Sequence, residues 1–213
     1  MGADMNFADT DFVLDAGPLI PVLALHDDEN LEPLAQALVA GGIQVFEIVL
    51  RTPSAIQVIE RLRGIVPILG AGTVLNDQQM RAAQAAGAQF CVSPGLTPAL
   101  HKSAQELAMP LLPGAVTASE IMSAMERGYK NLKFFPAERA GGPKALADFG
   151  SVFPTLRFCP TGGVSAENAE AYLSHKNVAC VGGSLATPKA LVANRDWAGL
   201  QAHVKDLLSS VSP

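Results

Sequence analysis

Lys133 stands in the stretch NLKFFPAE, residues 131–138, flanked by Leu132, Phe134 and Phe135. Neighbours of that kind belong in a buried strand, where an ammonium without a partner costs several kcal/mol of lost hydration. A lysine placed there needs either an ion-pair partner or a chemical task. The task open to it is nucleophilic: a neutral amine attacks a carbonyl carbon and forms a Schiff base. Burial and neighbouring cations favour the neutral amine, whereas a neighbouring carboxylate favours the ammonium. A carboxylate is at hand in VFEIVLR, residues 45–51. Side chains alternate along a strand, so Val45, Glu47, Val49 and Arg51 share one face and Phe46, Ile48 and Leu50 the other. The bulky second set suits a layer of helices, which turns Glu47 and Arg51 inward. The same alternation puts Lys133 with Phe135 on one face, and Leu132 with Phe134 on the other. Two readings stand side by side: a structural Glu47–Lys133 ion pair, which contributes little net stability when buried, and a reactive lysine with an acid/base partner.

The elements that must carry these residues are short apolar runs alternating with helical segments. Strands are expected over 19–25, 44–50, 66–71, 89–93, 110–113, 131–135, 156–160 and 178–182, starting every 21–25 residues. That spacing fits a strand, a helix and two short loops. Thr52-Pro53, Thr97-Pro98 and Thr187-Pro188 read as helix N-cap followed by N1. Thr117 to Glu120 (TASE) is a capping box. Asn76 opens a helix that Gly87 closes, and Gly128 closes the one begun at Thr117. Leu31, Leu34, Ala35, Leu38 and Val39 form a stripe of helical period. A last amphipathic helix over 196–210 carries Trp197, Leu200, Val204 and Leu207, and an extra N-terminal helix falls within 4–14. Eight strands alternating with helices and no long linker predict one domain over 1–213, a closed (β/α)8 barrel. A doubly wound sheet is the alternative.

Barrel active sites lie at the carboxyl ends of the strands, and phosphate binds on the loops after strands seven and eight. Here those loops read PTGGVS (160–165) and VGGS (181–184). The pairs Gly162-Gly163 and Gly182-Gly183 allow close backbone approach, and Ser184 adds a hydroxyl. Thr73 in GAGTV and Pro94 in SPG end the third and fourth strands, as a hydrogen-bonding group and a piece of pocket wall. No metal constellation emerges. His26 with the acids 27–29 reads as decoration of a helix start, and His101, His175 and His203 read as surface residues.

Composition narrows the function classes. The 213 residues are 49% hydrophobic and 16% charged, with a net charge of −5. The field is mildly acidic and lacks a basic run, which argues against nucleic-acid and anionic-membrane partners. No apolar stretch approaches the ~20 residues of a membrane span. The acidic start shows no basic-then-apolar leader pattern. Cys91, Cys159 and Cys180 lie in apolar runs and read as reduced core thiols of a cytoplasmic protein.

On ALVAGG, FEIVLRT, GAGTVLN, AGAQF, SPGLT, KFFPAE, GGPKAL, RFCPTGG and VGGS, in that order from about Pro18 to Ser184, the chain resembles the class I 2-keto-3-deoxy-6-phosphogluconate (KDPG) aldolases. Members of that family are often bifunctional for 4-hydroxy-2-oxoglutarate. The resemblance implies a (β/α)8 barrel, a homotrimer, a phosphorylated 2-keto acid substrate, and no cofactor or metal. It implies Lys133 as the Schiff-base residue and Glu47 as the acid/base. Arg51, Thr73, Pro94 and Phe135 would contact the pyruvate moiety, with Thr161 flanking the substrate. The phosphate would rest on Gly162, Gly163, Gly183 and Ser184. The chain departs from the family at Leu185, where members often read GGSW, and at Arg139 and Ala140 in the loop after the sixth strand. Both places adjoin the distal part of the substrate. Two rivals remain. A metal-dependent sugar-phosphate epimerase would need strand-end His and Asp ligands. A non-catalytic phosphate-binding barrel would keep the glycine loops without a reactive lysine.

Overall fold

The structure, a computed structural model, describes residues 7–28 and 30–211. Its elements are α1 (Asp11–Leu14), β1 (Leu19–Leu23), α2 (Leu31–Ala40), β2 (Val45–Val49), α3 (Ala55–Leu62), β3 (Ile68–Gly72), α4 (Asp77–Ala86), β4 (Phe90–Val92), α5 (Pro98–Leu107), β5 (Leu111–Leu112), α6 (Ala118–Glu126) and β6 (Asn131–Phe134). A 3-10 turn (Glu138–Ala140) follows, then α7 (Gly142–Val152), β7 (Arg157–Pro160), α8 (Ala169–Leu173), β8 (Val181–Gly183), α9 (Lys189–Ala193) and α10 (Trp197–Val211). Each strand falls within or against its expected window, and all strand pairs are parallel.

The ladder is not one continuous ring. Six strands pair in the order β5-β4-β3-β2-β1-β8, and β6 pairs with β7 alone. Single bridges join the two sheets, Gly114 with Lys133 on one side, and Phe158 with Val178 and Thr161 with Gly182 on the other. The six-stranded sheet is curled, which is how β2 and β6, on different ladders, bring side chains into contact.

Alternation along the strands splits the core in two. Leu19, Leu23, Phe46, Ile48, Leu69, Ala71, Leu132, Phe134 and Phe158 pack with helix residues such as Leu34, Leu38, Val58 and Leu146. Ile20, Val45, Phe90, Val92, Leu112, Cys159 and Cys180 fill the concave face, together with Val13 and Leu14 of α1. Burying a side chain of this size is worth about 1.5–3 kcal/mol. Gly70 makes room for the Phe90 ring, which would lie 2.3 Å from a Cβ added there.

The helix expected over 4–14 is one turn, Asp11–Leu14, and residues 4–6 lie outside the described residues. That turn plugs the amino end of the concave face. Asp11 accepts from Asn131 Nδ2 at 2.7 Å and pairs with Arg157, which also pairs with Asp15.

The caps at Asn76, Thr97 and Thr117 form as expected, with Glu120 completing the box at Thr117. Gly87 and Gly128 take left-handed φ of 103° and 88° at their helix ends. Two expected caps are corrected. The Thr52 hydroxyl donates to the Leu25 carbonyl at 2.9 Å, so α3 starts later, behind Ser54. The Thr187 hydroxyl turns back to the Ser184 carbonyl at 3.2 Å, and Pro188 stands at the N-cap of α9.

Two of the histidines, His101 and His203, are corrected too. His101 packs edge-on against Phe7 and Tyr129, His203 Nε2 lies 2.9 Å from the Leu185 carbonyl, and His175 is half-buried. His26 is exposed, Asp27 pairs with Arg61, and Glu29 lies outside the described residues. Among the described residues no helix is long and apolar enough to cross a membrane. None of their His, Cys, Asp and Glu side chains form a group of three or more placed to hold a metal ion. All three cysteines are free and buried.

Candidate active site

The middle of β2 and the third position of β6 both point to the concave face, above the apolar filling. There Lys133 Nζ lies 2.9 Å from Glu47 Oε1 and 3.2 Å from Oε2. The pair is closed off from water, with Lys133 6% and Glu47 3% exposed. Nζ also sits 5.6 Å from the centroid of the Phe135 ring, within cation–π range. Glu47 has room because Gly72, two residues beyond its ladder partner on β3, carries no side chain: a Cβ there would stand 2.2 Å from Oε1. The ion pair expected from alternation is therefore present, at the middle of β2 and in the carboxyl half of β6.

The other expected residues stand at or just beyond the carboxyl ends of the strands. Thr161, buried, follows β7, and its hydroxyl would lie 2.4 Å from a Cβ on Gly182. Gly162 approaches the face of Phe135, 3.1 Å from a Cβ placed on it. Gly162 and Gly163 adopt φ of 93° and 86°, the left-handed region that favours glycine. Thr73 follows β3 at φ 57°, an uncommon conformation for a side-chain-bearing residue and one that collects at functional sites. Pro94 follows β4, and its carbonyl packs so closely on Gly114 that a Cβ there would lie 2.2 Å away. Gly114 in turn bridges Lys133.

Arg51 and Ser184 are exposed and line a cleft of about 500 Å3 with Thr187 and Lys189. That lining holds two cations and two hydroxyls and no carboxylate, so it suits an anion. Neither Glu47 nor Lys133 lines this cleft, and among the described residues no ion pair joins Arg51 to Glu47.

Below the pair the thiol of Cys159 in β7 meets that of Cys180, the residue before β8. The hydrogen bond to Cys159 and burial together push the Cys180 thiol well above its ordinary range. Burial alone pushes Cys91 up to about 12, so neither it nor Cys180 is a nucleophile at neutral pH.

Sequence reasoning passed over Gly72 and Glu138. Gly70 and Gly72 alternate on one face of β3, a pattern that marks close approach of a neighbouring side chain. Glu138 has no such local signal, because its partners lie 30 and 34 residues away.

Fold and site define a class: parallel α/β proteins with a buried lysine–carboxylate pair on the concave face of a curled sheet. The family model for KDPG and KHG aldolase matches residues 10–203. The chain is 45% identical over 202 residues to the 2-dehydro-3-deoxy-phosphogluconate aldolase of Dickeya dadantii, covering 94% of this chain and 95% of that one. It is 49% identical over 187 residues to the KHG/KDPG aldolase of Escherichia coli K12, covering 87% and 88%. Among solved structures, KDPG aldolase of Legionella pneumophila, with pyruvate captured as a covalent carbinolamine intermediate, superposes with a TM-score of 0.88 at 43% identity over 92% and 96% of the two chains. The Zymomonas mobilis enzyme with 3-phosphoglycerate gives 0.89 at 41% identity over 95% and 96%. The chain belongs to the KDPG and KHG aldolase family.

Proposed function

We propose that the protein is a class I aldolase that cleaves KDPG to pyruvate and glyceraldehyde 3-phosphate, and 4-hydroxy-2-oxoglutarate to pyruvate and glyoxylate. The observation that carries the reading is the buried contact of 2.9 Å between Lys133 Nζ and Glu47 Oε1 in a chain of this family. Relatives named for KDPG and KHG cleavage support it, as does the carbinolamine of the Legionella enzyme.

Glu47 is placed to take a proton from the Lys133 ammonium. The free amine adds to the C2 ketone, and the carbinolamine loses water to give an iminium. Glu47 takes the C4 hydroxyl proton as the C3–C4 bond breaks, and the bonding electrons pass into the iminium to form an enamine. Glyceraldehyde 3-phosphate leaves. Protonation of the enamine at C3 and addition of water release pyruvate and restore the lysine. A carboxylate in a pocket poor in water is suited to shuttle protons in both directions.

Arg51, Thr73, Pro94 and Phe135 hold the pyruvate end in this reading, and Thr161 flanks the scissile bond. Gly162, Gly163, Gly183 and Ser184 receive the phosphate through backbone N–H groups and a hydroxyl. Leu185, beside Gly183, borders the distal end. The bridges between the two sheets support closure into a (β/α)8 barrel forming a single domain. Exposed Met122 and Met125, three apart on α6, support a homotrimer, and the three reduced thiols fit the cytoplasm.

The test is incubation with pyruvate and borohydride, followed by mass spectrometry. A reduced pyruvyl adduct on Lys133 is expected. An unmodified Lys133 in folded protein returns the pair to a structural role.

A further inference from the structure

Glu138 closes the KFFPAE motif and opens the 3-10 turn after β6. Its backbone N–H donates to the Gly162 carbonyl at 3.1 Å, beside the bond from Ala137 to the Thr161 carbonyl at 2.8 Å. Its side chain lies against the next glycine: a Cβ on Gly163 would stand 2.4 Å from Glu138 Cγ and 2.7 Å from Cβ. The carboxylate is turned toward α8, where Oε1 accepts from the hydroxyl of fully buried Tyr172 and from Asn168 Nδ2 at 3.3 Å. Asn168 Nδ2 also donates to the Gly163 carbonyl at 3.0 Å, and its side-chain oxygen accepts from the Ser165 N–H at 2.8 Å. Burial, and after it the bond to Glu138, push the Tyr172 hydroxyl up, so it stays a donor.

Two consecutive glycines with left-handed φ have many alternatives open to them, and their own side chains cannot fix the turn. Here Glu138 and Asn168 grip it from both sides. A carboxylate in this place would repel a phosphate if it faced the mouth, but its engaged oxygen points to Tyr172 and Asn168 instead.

We propose that Glu138 is a positioning residue that, with Asn168 and Tyr172, holds the Gly162–Gly163 turn in the shape that receives the substrate's phosphate. The proposal rests on the phosphate reading given above. The lysine motif then contributes at both ends, with Lys133 for bond cleavage and Glu138 for the distal anion.

The experiment measures KDPG cleavage and borohydride trapping of pyruvate, which carries no phosphate, in the wild type, Glu138→Ala, Glu138→Gln and Tyr172→Phe. Glu138→Ala is expected to raise KM for KDPG about 10-fold with kcat within about twofold, the scale of one lost hydrogen bond. Inhibition by inorganic phosphate weakens in parallel, while pyruvate trapping keeps its wild-type rate. Glu138→Gln, which keeps an acceptor, restores most of the affinity, and Tyr172→Phe gives an intermediate rise. An unchanged KM in Glu138→Ala overturns the proposal, and so does a loss shared equally by KDPG cleavage and pyruvate trapping. Should Glu138→Ala fail to fold, an unchanged KM in Tyr172→Phe overturns it. A wild type that fails to trap pyruvate overturns the aldolase reading and this proposal with it. A wild type that reacts normally beside insensitive variants overturns this proposal alone.

Discussion

Gly72 lies directly against the buried carboxylate of Glu47: a methyl group on Gly72 would stand 2.2 Å from Oε1, 2.6 Å from Cγ and 2.7 Å from Cδ. The two belong to paired strands, with Val49 level with Gly72 and Glu47 level with Gly70. Glycine here reserves the volume into which the glutamate folds on its way to Lys133.

Gly72→Ala is therefore expected to push the carboxylate off the amine while leaving the backbone in place, since the clashing atoms are all side chain. A displacement near 1 Å at the reacting groups costs about 10²-fold in rate. Steady-state kcat should fall on that scale with a thermal midpoint close to wild type. An unchanged kcat would show that proton transfer does not depend on the observed Glu47 position.

The Lys133–Glu47 pair also makes an asymmetric stability prediction. Removing one member of a buried pair leaves the other charge without compensation, at about 3–5 kcal/mol, whereas replacing both is often neutral. Lys133→Met should lower the unfolding free energy from urea titration by that amount. Lys133→Met with Glu47→Gln should recover most of it, because the buried charge is gone. Both variants are expected to lose turnover. If the double variant is no more stable than the single one, the isolated carboxylate is not the source of the loss.

The strands were legible because alternation at positions such as Phe46, Glu47 and Ile48 separates helix-facing from concave residues without any long-range information. The Lys133–Glu47 contact followed from two such alternations on strands that a curled sheet brings face to face. The break between β5 and β6 was not legible, since ladder pairing depends on the relative twist of neighbouring strands, which no local pattern carries. Thr52 was misread because its hydroxyl finds the Leu25 carbonyl, 27 residues away, in place of its own helix. Glu138 was silent for the same reason: its meaning lies in Asn168 and Tyr172, which only the fold delivers. His101 looked like a surface residue because nothing in its own helix announces Phe7 and Tyr129.

Glu120 gives α6 an acid-sensitive start. Its carboxylate accepts from the Val116 and Thr117 N–H groups, both at 2.9 Å, and the Val116 bond first of all holds its pKa below the usual range. A carboxyl depressed in the folded state contributes its full stability above the unfolded value of about 4.3 and loses it as pH falls through the folded value. Glu120→Gln keeps an acceptor but no titrating group. Its urea midpoint should fall less steeply than wild type between pH 5 and 3. Thr117→Ala removes the other half of the box and should cost about 0.5–2 kcal/mol at neutral pH. Parallel acid limbs for wild type and Glu120→Gln would exclude this contribution.

His101 sets a second limb at higher pH. Its Nδ1 lies 3.3 Å from the Tyr129 hydroxyl and its ring packs edge-on to Phe7 at 5.4 Å. Burial, and secondarily the charge of Arg127, lower its pKa in the folded protein. The unfolded chain therefore takes up this proton first. The stabilisation is complete above the unfolded value of about 6.5 and is lost as pH falls from there through the lower folded value. The groups facing His101 here are Tyr129, Phe7 and Arg127, and no carboxylate among its hydrogen-bond partners would reverse the sign. His101→Phe keeps an aromatic ring between Phe7 and Tyr129 while removing the titration. Its thermal midpoint should vary less than that of wild type between pH 7.5 and 5.5, with Glu120 untouched in that window. A wild-type midpoint that rises on acidification through this range would mean that the imidazolium is the form favoured by the fold, and the packing account of His101 would be wrong.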